Sequence, residues 1–312
     1  MAFKYEPRKF NTEVSTLVIG SGSNTVSVGG ENAFAFYTFD STDGHRPKVG
    51  VVISDTGRFT DIPGIKAFYE GSETLAGRAK AAAAMPGADF IVICLDSAHP
   101  DSKNSSPEEC AVLVKEIADT VDFPLIIEGC GNIEKDSKVF EKVAEALQGK
   151  NVLILSAHEE NYKGIAAVGL AYSQCISAES AVDINLAKQL NVLISQVGVK
   201  PDKMAMNLGS AAAGYGFEYI ASTIERVKTA ALAQSDAMLQ MPVITPVYSE
   251  TWTVKESIAS EEDYPEWGPA EQRGIHMEIS TAAACLAAGS NAVILCHPES
   301  VAAISALISA LI

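Results

Sequence analysis

The chain has 312 residues, 47% of them hydrophobic, and carries a formal net charge of −16 at pH 7. Such a charge gains no attraction from nucleic acid or an anionic membrane surface, which excludes both as electrostatic partners, and it suits a docking partner with a basic face. No run reaches the ~20 apolar residues of a membrane span, and the length fits one large barrel with an extension or two ordinary domains.

Residues 1–14 carry Lys4, Glu6, Arg8, Lys9 and Glu13 and lack the apolar centre of a secretory signal; a cytoplasmic chain is expected. Residues 15–30 predict a β-hairpin. The runs 16–19 and 25–28 are β-type, and Gly20, Gly22 and Asn24 make the turn. Gly20-Ser21-Gly22 opens like a dinucleotide fingerprint, but Thr25 stands at the third glycine and a strand-like run follows where pyrophosphate binding needs a helix. Residues 1–48 are therefore expected to form an N-terminal extension whose hairpin hides its apolar face against one end of the main fold.

From residue 49 to 312 a short apolar run followed by a stretch with helical spacing recurs eight times, with runs at 49–54, 89–95, 124–128, 152–156, 175–177, 203–208, 242–247 and 292–297. This predicts the α/β class and a closed (β/α)8 barrel of the TIM type, with any functional site at the carboxyl ends of the strands. The helical halves are well marked. Ser106-Pro107-Glu108-Glu109 reads as a capping box with proline at the first helical position. Val112, Ile117 and Ala118 are expected on one face of that helix. Residues 75–85 are alanine-rich, Val139, Phe140, Val143, Ala144 and Leu147 repeat at helical spacing, and the last helix should begin after His297-Pro298. The longest gaps follow the first and seventh strands. Segment 55–73 carries Arg58, Phe59, Phe68 and Tyr69; segment 248–270 carries Tyr248, Trp252, Tyr264, Trp267 and the acidic run Glu261-Glu262-Asp263. Loops of this length in a compact barrel have a job or move.

Cys94, Cys110, Cys130, Cys175, Cys285 and Cys296 form no Cys-x-x-Cys pair. That spacing argues against a self-contained iron–sulfur cluster or structural zinc site and for buried, reduced thiols. At the strand ends stand Asp55, Asp96, Glu128, His158, Asn207 and His297, which a barrel would gather on one rim. Three readings compete: metal ligands, which lack a His-x-His or His-x-x-x-His spacing; acid–base groups acting on a small substrate; and a rim of hydrogen-bonding residues that orients a ligand or partner. No strand ends in lysine, so a Schiff-base mechanism is not expected, and no Gly-x-Ser-x-Gly elbow is present. In the segment after Asn207, Gly209 and Gly216 bracket a small-residue stretch that includes Tyr215, with a helix expected after Gly216. It serves either close approach to a bulky ligand or a tight strand-to-helix turn.

That segment, followed by Ile224-Glu225-Arg226, Glu250-Thr251-Trp252, Lys255-Glu256, Trp267-Gly268, Arg273-Gly274 and His297-Pro298 in this order, resembles the small, delta-type subunit of the corrinoid iron–sulfur protein of the carbon monoxide dehydrogenase/acetyl-CoA synthase system. Gly29-Gly30-Glu31 with Phe36-Tyr37-Thr38-Phe39-Asp40 adds to the likeness, and Asn207 departs from it where many relatives would carry aspartate. The resemblance implies a methyl carrier without catalytic residues of its own. The barrel would pair with a large subunit that supplies an iron–sulfur cluster and a corrinoid-binding domain, with the corrinoid (cobalamin) shared between the two. Its cobalt would take a methyl group from methyltetrahydrofolate through a separate methyltransferase and deliver it to acetyl-CoA synthase. On this reading Asp96, Glu128, Asn207, Gly209, Tyr215, Gly216 and Trp252 are the candidate corrinoid contacts, and 55–73 and 248–270 are gating or docking surfaces. The alternatives are a stand-alone pterin-dependent methyltransferase, with Asp96, Glu128 and Asn207 in a folate-binding mouth, and a scaffold whose barrel binds no small molecule.

Overall fold

The structure is a computed structural model that describes residues 10–36 and 45–312; residues 37–40 of the N-terminal motif and most of the 1–14 stretch lie outside the described residues. Two antiparallel strands, β1 (Leu17–Ser21) and β2 (Asn24–Val28), precede the barrel. Ser21 pairs with Asn24 across a two-residue turn, so the hairpin expectation holds. The barrel strands are β3 (Lys48–Ser54), β4 (Phe90–Cys94), β5 (Leu125–Glu128), β6 (Leu153–Ala157), β7 (Cys175–Glu179), β8 (Met204–Asn207), β9 (Ile244–Thr245) and β10 (Ala292–Leu295). They run parallel in the order β8-β7-β6-β5-β4-β3-β10-β9. A further parallel bridge, Met206 to Val243, joins β8 to the approach of β9 and closes the cylinder, with the Met206 amide donating to the Pro242 carbonyl at 2.8 Å.

Strands covered on both faces read as continuous apolar runs rather than alternations, and Phe90 to Cys94 is buried at every position. Gly50 on β3 is required by packing. A Cβ there would lie 2.1 Å from the Phe90 ring, so only a bare backbone lets that ring fill the neighbouring space. Helices over Leu75–Ala83, Pro107–Thr120, Ile133–Ala146, Tyr162–Tyr172, Ile184–Val197, Phe217–Ala233, Ala270–Ala288 and Pro298–Leu311 alternate with the strands. The capping box forms as read, with Ser106 Oγ accepting from the Glu109 amide and Glu109 accepting from the Ser106 amide. Val112 corrects an expectation. It is 70% exposed, and the buried face of its helix is Cys110, Ala111, Val114, Ile117 and Ala118. Positions 112 and 117 are five residues apart, which at 3.6 residues per turn places them well over a third of a turn from each other.

The hairpin lies at the amino ends of the strands. Asn151, just before β6, donates through Nδ2 to the carbonyls of Val18 and Gly20 at 2.7 and 3.0 Å, and the Gly20 amide donates back to the Asn151 carbonyl at 2.9 Å. Leu17, Ile19, Val26 and Val28 are buried and continuous with the barrel core. Glu31 anchors the return of the chain: its Oε1 accepts from Lys228 Nζ at 2.5 Å and from Asn291 Nδ2 at 2.6 Å. The opposite, carboxyl end of the barrel is left as the mouth.

Candidate functional site at the barrel mouth

Each functional side chain at the mouth is placed by the last residue of a strand or the turn just after it. Asp96 follows β4 and is reached by three groups. Ser54 Oγ, at the end of β3, donates to Oδ2 at 2.6 Å; the Cys94 thiol donates to Oδ1 at 3.2 Å; and Arg58 Nε lies 3.2 Å from Oδ2. Glu128 closes β5 and accepts through Oε2 from the Tyr248 hydroxyl at 2.6 Å. Arg58 stands between Asp96 and the Glu128 partner Tyr248, its guanidinium 5.0 Å from the Phe59 ring centroid and 5.6 Å from that of Tyr248. The Phe59 and Tyr248 rings meet edge to face at 5.9 Å. Tyr248 is fully buried, and these residues pack together beside the acids.

On the other side Asn207, buried at the end of β8, donates through Nδ2 to Glu179 Oε2 at 2.8 Å and to Ser156 Oγ at 3.2 Å, and accepts through Oδ1 from the Gly209 amide at 2.9 Å. His158 Nε2 lies 4.0 Å from the same Glu179 oxygen. Glu128 is half-buried by surface area yet deep among protein atoms. That desolvation pushes its carboxyl up to about 7; the Tyr248 hydrogen bond and the Arg58 charge pull it down, and the nearby Asp96 and Glu179 push it up further. Burial also raises Tyr248 and Cys94 well above their ordinary values.

The strand-end residues do not all converge. Asp96, Glu128 and Asn207 belong to the mouth network. Asp55 turns aside to the Ser97 amide at 2.8 Å and the Ser97 hydroxyl. His297 is buried, accepts through Nδ1 from the Glu299 amide at 3.1 Å to start the last helix, and presents its ring to Trp252, stacked at 5.8 Å. Trp252 is thus packed beneath the mouth, against His297 and Gly274, rather than lining it. Gly209 is partly exposed beside Asn207. Tyr215, 47% exposed, donates its hydroxyl to Glu256 Oε2 at 2.5 Å, and Gly216 is the residue on which the Phe217–Ala233 helix begins. Glu179 is a mouth residue that sequence reading passed over, because the apolar run ends at Ser177 and the strand continues two residues further. Strand length was the available signal, since three of the other barrel strands reach five residues or more.

Segment 248–270 is a structured block carrying short helices over Tyr248–Thr251 and Lys255–Ile258. Arg273 clamps it, donating from Nε to the Glu256 carbonyl at 2.6 Å and from its two terminal nitrogens to the carbonyls of Gly268 and Ala259. Tyr264 and Trp267 stack at 4.2 Å, with Lys255 Nζ 4.3 Å over the Tyr264 ring. Among the described residues no group of three His, Cys, Asp or Glu side chains is placed to hold a metal. The cysteines are free, and burial pushes Cys110 and Cys175 to about 11 and Cys130 and Cys285 to about 12. The six cysteines are dispersed rather than grouped.

Residues 16–266 match the family model for the CO dehydrogenase/acetyl-CoA synthase delta subunit. The chain belongs to that family. The resemblance read from its ordered motifs is borne out along most of its length. It is 30% identical to the acetyl-CoA decarbonylase/synthase complex subunit delta of Archaeoglobus fulgidus, over 99% of this chain and 71% of that protein. It is 33% identical to subunit delta 1 of Methanosarcina thermophila, over 94% of this chain and 70% of that one. Among solved structures, the dihydropteroate synthase of Xanthomonas albilineans with 4-aminobenzoic acid superposes with a TM-score of 0.55 at 13% identity, covering 95% of this chain and 98% of that one. At that identity the likeness shows the fold, an α/β TIM barrel, and nothing of the chemistry. The comparisons support a delta-type subunit and not a stand-alone pterin methyltransferase. No helix among the described residues is long and apolar enough to cross a membrane.

Proposed function

We propose that this chain is the small subunit of a cytoplasmic, heterodimeric corrinoid iron–sulfur methyl carrier, and that its barrel mouth covers a corrinoid held mainly by a large subunit. The observation that carries the reading is the asymmetry of the barrel. The hairpin seals the amino end, while the carboxyl end presents a broad rim of polar groups over a packed layer. A corrinoid is a flat macrocycle fringed with amides, and the donors and acceptors of Asp96, Glu128, Asn207 and Gly209 fit such a fringe in kind. Tyr215 and Gly216 would extend the contact along the rim, and Trp252 would support it from beneath through His297. When bound, the corrinoid supplies the cobalt that takes a methyl group from methyltetrahydrofolate, through a separate methyltransferase, and yields it to acetyl-CoA synthase. The chain's own part is to exclude water and to orient. Phe59 and the buried Tyr248 form a packed floor beside the exposed Arg58, and Tyr248 donates its hydroxyl to Glu128 Oε2 so that this carboxyl keeps one direction. On this reading the iron–sulfur cluster belongs to the large subunit, with which the lack of any Cys-x-x-Cys pair here agrees.

The test is to purify the chain alone and with its large subunit and to measure corrinoid by visible absorption. Retention only in the pair is expected; tight stoichiometric binding by the isolated chain overturns the shared site. In the pair, Asp96→Ala and Asn207→Ala should each lower corrinoid retention roughly tenfold, the loss of about one good hydrogen bond, with circular dichroism unchanged. Unchanged retention removes those residues from the site.

A further inference from the structure

Segment 248–270 joins the carboxyl end of β9 to the next long helix, so it stands at the mouth end of the barrel, and it turns hydrocarbon outward. In the short helix Lys255–Ile258 the buried residue is Ser257, whose hydroxyl donates to the Thr251 carbonyl at 2.6 Å, while Ile258 is 63% exposed. The helix Phe217–Ala233 opens in the same way: Thr223 is buried and Tyr219 is 67% exposed. The Tyr215 hydroxyl on Glu256 joins the two elements. Burial alone favours the reverse, hydroxyl out and hydrocarbon in. Further along the block the stacked Tyr264 and Trp267 are only half-buried. A single exposed apolar side chain needs no explanation. An outward isoleucine and a part-exposed aromatic pair on one block that Arg273 already holds in place have the make-up of an interface centre.

Charge says what covers it. Residues 248–270 hold six acidic residues against one lysine, a net −5 within the chain total of −16. That lysine, Lys255, is already engaged by the Tyr264 ring at 4.3 Å. Glu262 and Glu266 are exposed and have no ion-pair partner among the described residues. We propose that this face seats a basic edge of the large subunit, with Ile258 and Tyr219 as apolar contacts and lysine or arginine of the partner meeting the acidic surround. The inference rests on the function proposed above and adds where the partner sits. Tyr248, the first residue of the block, donates to the mouth acid Glu128, so a protein that holds a macrocycle over the mouth meets this block at the rim.

The test is calorimetric titration of the full chain with purified large subunit at about 50 mM and about 500 mM salt, where screening should weaken the association at the higher value. At low salt Ile258→Ser should weaken it about tenfold and Glu262→Lys about fivefold, the second effect shrinking as salt rises. Val112→Ser and Glu116→Lys are the controls. They alter one apolar and one acidic exposed residue on the Pro107–Thr120 helix, which lies between β4 and β5 on the far side of the barrel from β9, and they should leave the affinity unchanged. Melting curves confirm that all four variants fold. Parent-like affinity in Ile258→Ser or in Glu262→Lys, or equal losses in the controls, overturns the seat and leaves the proposed function standing, because the parent still pairs. A parent chain that does not pair with the large subunit overturns both.

Discussion

Glu128 is where burial and chemistry meet most directly. Its carboxyl is raised to about 7 chiefly by desolvation, despite the Tyr248 hydroxyl and the Arg58 charge. An acid whose folded pKa lies above its unfolded value contributes stability that is fully present below the ordinary carboxylate range and is lost as pH climbs through about 7. Glu128→Gln keeps the volume and the acceptor for Tyr248 but cannot ionise. Relative to the parent, its unfolding free energy should gain on the order of 2–3 kcal/mol between pH 5 and pH 8. Urea unfolding at the two pH values checks this, and a pH-independent difference between parent and variant contradicts it. The same residue shows why the acids could be named from the sequence but not their roles. Position at a strand end is a local property, whereas the Tyr248 hydroxyl comes from 120 residues away.

Segment 248–270 shows how one side chain can hold a block of irregular backbone together. Arg273 ties the carbonyls of Glu256, Ala259 and Gly268, and the next residue, Gly274, leaves room for Trp252. A Cβ at 274 would stand 2.2 Å from the indole, so Gly274→Ala should cost about 1–3 kcal/mol by overpacking, even though alanine is the better helix former; thermal unfolding reads this. Arg273→Ala should leave the barrel folded but open the block, with limited proteolysis cutting between 255 and 268 much faster than in the parent. Unchanged cleavage would mean that aromatic stacking alone holds it. The pairs Trp267-Gly268, Arg273-Gly274 and His297-Pro298, part of the resemblance read from the sequence, thus serve this packing.

For the whole molecule, the N-terminal segment is joined to the barrel by a buried ion pair as well as by the hairpin. Lys228 is 3% exposed and contacts both Glu31 and Asn291, whose Oδ1 also accepts from the Val243 amide at 2.9 Å. Lys228→Ala would strand Glu31 in the interior and should destabilise by about 3–5 kcal/mol, whereas Lys228→Met with Glu31→Gln should recover much of it. Chemical denaturation of the single and double variants distinguishes the two; equal losses would contradict the account.

The sequence by itself determined the period. Eight apolar runs, a glycine-marked hairpin and the Ser106 capping box all appear in the fold, because strand, turn and cap are set by residues close along the chain. Only the tertiary structure decided which strand-end side chains meet. It turned His297 inward to Trp252, sent Asp55 to Ser97, brought Glu179 to Asn207 and laid Arg58 across Asp96 and Tyr248. Those meetings depend on the tilt and stagger with which eight strands close, and closure rests on the bridge between Met206 and Val243, a long-range pairing that no local pattern encodes.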